Sequence, residues 1–453
     1  MHLSRRHFLR ASAAFGAGFL GLRELLGQER SARAPGYGEL VPDPARILDL
    51  PPGFSYRILS RTGETMDDGF RVPAAHDGMA AFPGPDGLTI LVRNHEIKPP
   101  SRHGPFGERA ELFPRIDRAK VYDPAGPGPG GTTTLVYDTR ERRLVRHFLS
   151  LAGTWRNCAG GPTPWGSWIT CEETTERAGA KGAGKDHGYV FEVPAAAEPR
   201  LADPVPIRAM GRFNHEAVAV DPRSGAVYET EDRSDGLLYR YLPEEPGRLA
   251  RGGRLQALKV KDKPGLTTRN DGKGPSVPLG APLDVEWVDL EDVESPGDDL
   301  RRQGFARGAA AFSRGEGIWY GRGAVYFACT SGGRNKKGQI WRYVPSPEEG
   351  RPGEARAPGR LELFVEPNDD TLLENCDNLT VAPWGDLVVC ENAKKEQHVV
   401  GVTPEGRFYN LARNPRGDSE FAGACFSPDG STLFVNIQKA GLTVAIAGPW
   451  RGA

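Results

Sequence analysis

Carboxylates and amides recur in this chain where short apolar, strand-like runs end. Glu96, Glu172, Glu173, Glu216, Glu231, Asp232, Glu316, Asp377, Glu391 and Glu420 stand at such places, with Asn94, Asn157, Asn214 and Asn378 beside them. Asn-His-Glu occurs twice, at 94–96 and 214–216. Gathered round one axis, so many acids would repel one another unless cations neutralised them. Oxygen donors of this kind favour hard ions such as calcium, magnesium or ferric iron. Taken singly, each acid also reads as a solvated turn residue or a strand cap. Of the six cysteines, Cys171, Cys329, Cys390 and Cys425 lie in apolar runs and read as small core residues. Cys158 and Cys376 instead follow an asparagine in a polar turn, where a metal thiolate or a disulfide could lie. Two arginines could meet an anionic substrate. Arg314 precedes Glu316 by two residues, so an extended segment points both side chains to one face. Arg212, in Gly211-Arg212-Phe213-Asn214, is the weaker candidate. A guanidinium grips phosphate bidentately, although an ordinary ion pair would explain either arginine as well.

Other chemistry is absent or imitated. The sequence contains no G-x-S-x-G nucleophile elbow and no H-E-x-x-H zinc helix. Residues 179–186 nearly spell a phosphate-binding loop, but no Ser or Thr follows its lysine and a strand-like run comes next. A solvated loop is the better reading.

Internal repetition indicates what must position these residues. Thr163-Pro164-Trp165-Gly166 opens a β-rich run ending at Cys171-Glu172-Glu173, and Ala382-Pro383-Trp384-Gly385 opens another ending at Cys390-Glu391-Asn392. Looser copies start near Asp86-Gly87, Ser224-Gly225, Gly323 and Asp429-Gly430. Strand, tight turn, strand, loop, strand is the grammar of propeller blades. About six such units predict an all-β, six-bladed propeller with long inter-blade loops, and a tandem of β-sandwiches is the alternative. Composition agrees: 58 glycines and 39 prolines among 453 residues disfavour helical architectures. A formal net charge of −1 gives no sign of nucleic-acid or anionic-membrane binding.

The N-terminus reads as a targeting segment. Ser4-Arg5-Arg6-His7-Phe8-Leu9 is a twin-arginine pattern, followed by a weakly apolar stretch and by Ala32-Arg33-Ala34. This predicts a Tat signal peptide over 1–34, a single domain over 35–453, contact with the Tat translocase, and a periplasmic or secreted destination. No other segment predicts a stable membrane span.

Taken together, several stretches resemble the PhoX family of bacterial alkaline phosphatases. They are His76-Asp77-Gly78-Met79-Ala80, Asn94-His95-Glu96, Asn157-Cys158-Ala159-Gly160-Gly161, Thr170-Cys171-Glu172-Glu173, Phe213-Asn214-His215-Glu216, Arg314-Gly315-Glu316-Gly317, Asn375-Cys376-Asp377-Asn378 and the run from Glu420 to Gly430. The resemblance implies a phosphomonoesterase acting on small organic phosphate esters. It also implies an axial site holding two ferric ions (Fe3+) and several calcium ions (Ca2+) around a bridging oxo or hydroxide nucleophile. Cys158 looks like the iron thiolate, and Glu216 and Glu316 like iron carboxylates, with Glu173 or Glu172 in addition. Glu96, Asp377, Glu391 and Glu420 look like calcium ligands, and Arg314 would grip the phosphoryl group. The status of Cys376 stays open. A calcium-dependent propeller lactonase or phosphodiesterase, and a non-catalytic periplasmic scaffold, are the alternative readings.

Overall fold

The structure is a computed structural model that describes residues 32–125, 128–274, 276–417 and 419–451. The first 31 residues of the expected signal peptide therefore lie outside the described residues. Ala32 and Ala34 pair with the backbone of Phe408.

The chain is all-β and propeller-like, with every ladder between named strands antiparallel. Strand β1 (Ser55–Arg61) waits for a distant partner. Strands β2 (His76–Pro83), β3 (Thr89–His95), β4 (Gly131–Asp138) and β5 (Arg143–Ala152) form one sheet. A second holds β6 (Asn157–Pro162), β7 (Ser167–Glu172) and β8 (Val190–Pro194). Then come β9 (His215–Val220), β10 (Val227–Glu231), β11 (Leu238–Pro243), β12 (Gly253–Val260), β13 (Leu283–Asp289), β14 (Gly315–Gly321), β15 (Ala324–Cys329), β16 (Gln339–Val344) and β17 (Arg360–Val365). These share one nine-stranded sheet, because β13 pairs along β12 and also touches β17 through Leu283 and Asp284. Strands β18 (Cys376–Val381), β19 (Leu387–Glu391), β20 (Gln397–Val402) and β21 (Phe408–Asn414) make the next sheet. The last, β22 (Phe421–Phe426), β23 (Thr432–Ile437) and β24 (Leu442–Ala447), is completed by β1 against β24. That pairing brings an early strand into the last sheet, and β2 of the first sheet packs against β22 of the last.

The strands that begin the repeats, β2, β6, β9, β14, β18 and β22, touch one another in cyclic order and close a ring. Each joins its second strand through a turn glycine in the left-handed region: Gly87, Gly166, Gly225, Gly323, Gly385 and Gly430, with φ between 74° and 101°. Side chains there would strain the turn, which accounts for part of the glycine excess. Another part serves the ring. The third residues of these strands are Gly78, Ala159, Ala217, Gly317, Asn378 and Gly423. A Cβ on Gly78 would lie 2.5 Å from Ala159 Cα, and one on Gly317 would lie 2.7 Å from Asn378 Cα. Small residues let neighbouring inner strands pack backbone to backbone. Trp319 of β14 sits at the meeting point of three apolar clusters. Beneath the ring only about 20 Å³ of space remains around it.

Candidate metal centre and active site

A cavity of about 220 Å³ opens at one end of the ring. The backbone builds it by one repeated device. In all six repeats the inner strand carries one more residue than its partner. Such a bulge breaks the ladder and re-aims the side chains beside it. In all six, too, the N–H just past the second strand donates to the carbonyl just before the inner strand. The pairs are Glu96 to Ala75, Glu173 to Arg156, Asp232 to Asn214, Thr330 to Arg314, Asn392 to Asn375 and Gln438 to Glu420.

Three tiers of side chains follow. The second residue of each inner strand faces the cavity: Asp77, Cys158, Glu216, Glu316, Asp377 and Ala422. The residue past the second strand contributes Glu96, Glu173, Asp232, Asn392 and Gln438. The residue before the inner strand contributes Arg156, Arg314 and Glu420. Eight carboxylates thus face two guanidinium groups.

Two groups of donor atoms are close enough to share an ion, each within 4.8 Å of one another. One is Cys158, Glu173 and Glu216; the other is Glu216, Glu316 and Asp377. Glu216 belongs to both. Arg314 donates through Nε to Asp232 at 2.7 Å, and through Nη2 to Asp232 and Glu316, each at 2.9 Å. Arg156 donates to Glu96 at 2.7 Å and to Glu173. Gln438 bridges Asp77 at 2.8 Å and Glu96 at 3.0 Å.

Burial and crowding disfavour the charged forms of the acids here. Burial first, then Glu96 and Asp377, push the Asp77 carboxyl well above its usual range. Burial and neighbouring acids do the same for Glu173, Glu216 and Glu316. Asp377 rises to about 6 through burial, although Asn378 and Arg314 oppose it. Glu420 reaches about 8 through burial with Asp377 and Glu96 nearby. Burial and Glu216 push the Cys158 thiol up as well. Cations entering such a cavity displace protons and pair the charges that burial disfavours.

Of the residues singled out from sequence, Cys158, Glu173, Glu216, Glu316, Asp377, Glu420, Glu96, Asp232 and Arg314 line the cavity. Among the acids and arginines that do not are Glu231, whose carboxylate accepts from the Tyr239 hydroxyl at 2.7 Å, and Glu172, Glu391 and Arg212. Glu172 ends β7 and points away from its neighbour Glu173, because side chains alternate along a strand. Its carboxylate accepts from Trp155 N, Gly188 N and Tyr189 N, and from His187 Nδ1 at 2.6 Å. Glu391 likewise ends β19 and accepts from Glu374 N and from His398 N and Nδ1. The cavity-facing position there belongs to Asn392. Arg212 is 1% exposed and ties two loops together through the carbonyls of Thr175, Glu176 and Ser295. It precedes the cavity-facing residue of its strand by four positions, whereas Arg156 and Arg314 precede theirs by two.

The two Asn-Cys pairs also part company. Cys158 lies seven residues before Trp165, but Cys376 lies eight before Trp384. That one-residue slip reverses the face: Cys158 enters the cavity, while Cys376 packs in the core near the Gln339 carbonyl. Among the described residues every cysteine is free. Asp77 and Arg156 were not among the expected site residues. Their signal was the fixed offset from the start of each inner strand, readable once the repeats are in register.

A paired substitution separates the two neighbouring glutamates. Glu172→Gln places an amide where several donors converge and is expected to cost about 3 kcal/mol of stability while sparing bound metal. Glu173→Gln is expected to lower metal content with little change in the apoprotein's melting. Denaturation curves and elemental analysis of both variants check this, and metal loss in Glu172→Gln alone would reverse the assignment.

The chain matches the alkaline phosphatase PhoX family over residues 35–441. No curated protein matches it. Among solved structures it is similar to Pseudomonas fluorescens PhoX in complex with vanadate, a transition-state analogue, at 17% identity and a TM-score of 0.64. That likeness covers 89% of this chain and 96% of the other. A gluconolactonase of Xanthomonas campestris is 13% identical with a TM-score of 0.37, covering 91% of this chain and 98% of its own. With the family match covering residues 35–441 of the 453, the chain belongs to the PhoX family of alkaline phosphatases.

Proposed function

We propose that this phosphatase is an exported phosphomonoesterase that works at the axial cavity with bound ferric and calcium ions. The observation that carries the reading is Glu216, buried and shared by two donor groups, one of them containing the Cys158 thiol.

The donor set fits such ions. A thiolate among carboxylates suits iron, and oxygen-only sets suit hard ions such as ferric iron or calcium. Cys158, Glu173 and Glu216 would hold one ferric ion, and Glu216, Glu316 and Asp377 a second. Asp77, Glu96 and Glu420 supply oxygen donors for calcium. When bound, the cations supply Lewis acidity toward phosphate oxygens and offset charge developing at phosphorus.

The protein's own groups orient the ester. Arg314, which lines the cavity, is held by Asp232 and Glu316 on Nε and Nη2, and among the described residues its Nη1 has no hydrogen-bond partner. A guanidinium fixed in this way is preorganised for an anionic oxygen. The cavity volume suits a phosphoryl group, so the alcohol portion of the ester would remain outside.

The fold supports this reading if each inner strand heads one blade. The nine-stranded sheet then counts as two blades bridged by β13, six in all. Export rests on the twin-arginine pattern at 4–10. Among the described residues no helix is long and apolar enough to cross a membrane.

The test is to purify the exported protein with its metals and assay an aryl phosphate at alkaline pH. Hydrolysis, stoichiometric iron and calcium, and loss of activity with a calcium chelator are expected. A metal-replete protein that releases no phosphate would overturn the reading.

A further inference from the structure

Arg156 is the second guanidinium of the cavity, and the reading above leaves it without a role. It stands immediately before β6 as Arg314 stands immediately before β14, and both adopt left-handed backbone, with φ of 50° and 57°. Each is pinned by the carboxylate that follows the second strand of the preceding repeat: Glu96 for Arg156, Asp232 for Arg314. Each also reaches a carboxylate of its own repeat, Glu173 or Glu316. Both arginines use Nε and Nη2 for these contacts. Among the described residues neither Nη1 has a hydrogen-bond partner, and the side chains remain 29% and 43% exposed. In the ring, β9 with Glu216 lies between β6 and β14, so the two arginines belong to the repeats on either side of the one that carries Glu216.

Each guanidinium thus keeps N–H groups that its carboxylate partners do not use. A phosphate monoester dianion offers three peripheral oxygens and two charges, whereas a diester offers two such oxygens and one charge. A pair of guanidinium donors can satisfy the first more fully than the second. Resting on the phosphatase reading, we infer that Arg156 is a second phosphoryl-oxygen donor, and that with Arg314 it selects dianionic monoesters over monoanionic diesters.

The experiment compares the metal-loaded wild type with Arg156→Met and Arg156→Lys. The probes are p-nitrophenyl phosphate, bis(p-nitrophenyl) phosphate and inorganic phosphate as inhibitor, with elemental analysis of each preparation. In Arg156→Met, kcat/KM for the monoester is expected to fall about 100-fold, and phosphate inhibition to weaken by a similar factor. Metal content should hold, and any diester rate should change much less. Arg156→Lys keeps a cation against Glu96 and Glu173 but loses the fork, so it should keep metals and fold while recovering only part of the rate.

Full recovery by lysine would mark Arg156 as a structural clamp and overturn the inference. So would unchanged phosphate inhibition in Arg156→Met, or equal losses on both esters accompanied by metal loss. A wild type that neither cleaves the monoester nor binds phosphate would instead refute the phosphatase reading itself.

Discussion

Glu216→Gln is expected to lower kcat/KM for an aryl phosphate by at least about 1000-fold. The reason is its double membership: its carboxylate lies within 4.8 Å of the donors of both groups. Every other acid in those groups serves only one. Glutamine keeps the size of the side chain at the second position of β9, so packing against the ring is retained. It removes the charge, and its amide nitrogen cannot ligate a cation. Elemental analysis should show depletion at more than one site, whereas Glu420→Gln should lose less metal and less rate. The apoprotein should melt no lower than wild-type apoprotein, since burial and crowding already disfavour the charged form of Glu216. Full metal content and a rate within about threefold of wild type would refute the shared role.

Arg314→Met is expected to lower kcat by about 1000-fold with metals retained, the size of effect seen when a phosphoryl-gripping arginine is lost. The hydrogen bonds that Arg314 donates to Asp232, with Glu316 beside it, hold the guanidinium charged far into alkaline pH. Its positive charge is therefore present across any alkaline working range. Methionine at φ 57° is no more strained than arginine there, so the backbone adds nothing to the effect. Asp232 and Glu316 lose a cationic neighbour, which should hold bound metal ions at least as tightly. Single-turnover rates and metal analysis separate the outcomes. A rate loss that merely follows metal loss would make Arg314 a clamp and not a substrate donor.

Much of the site was legible, but in pieces. Glu173, Glu216 and Glu316 could be named from the family-like stretches that carry them, although Glu173 follows its strand whereas Glu216 and Glu316 stand second in theirs. Glu172 could not be separated from Glu173, or Glu391 from Asn392, because adjacent residues of a strand face opposite sides and the sequence leaves the face undetermined. The same ambiguity made the two Asn-Cys pairs look equivalent. Arg212 attracted notice through its neighbours Asn214 and His215, yet it lies two positions too early. Arg156 went unnoticed because an arginine in a polar turn has no signature apart from its offset.

The sequence by itself determined the all-β character, the repeated units and their turns, and the surplus of acids at strand ends. These are local properties, carried by alternation, glycine placement and repetition within a few tens of residues. Only the tertiary structure decided which acid of each pair enters the cavity, which cysteine does, and which two arginines meet them. The physical reason is the one-residue bulge in every inner strand together with the carbonyl–amide bond that closes its mouth. Both depend on register between strands, and the cavity exists only where strands from distant parts of the chain close into a ring.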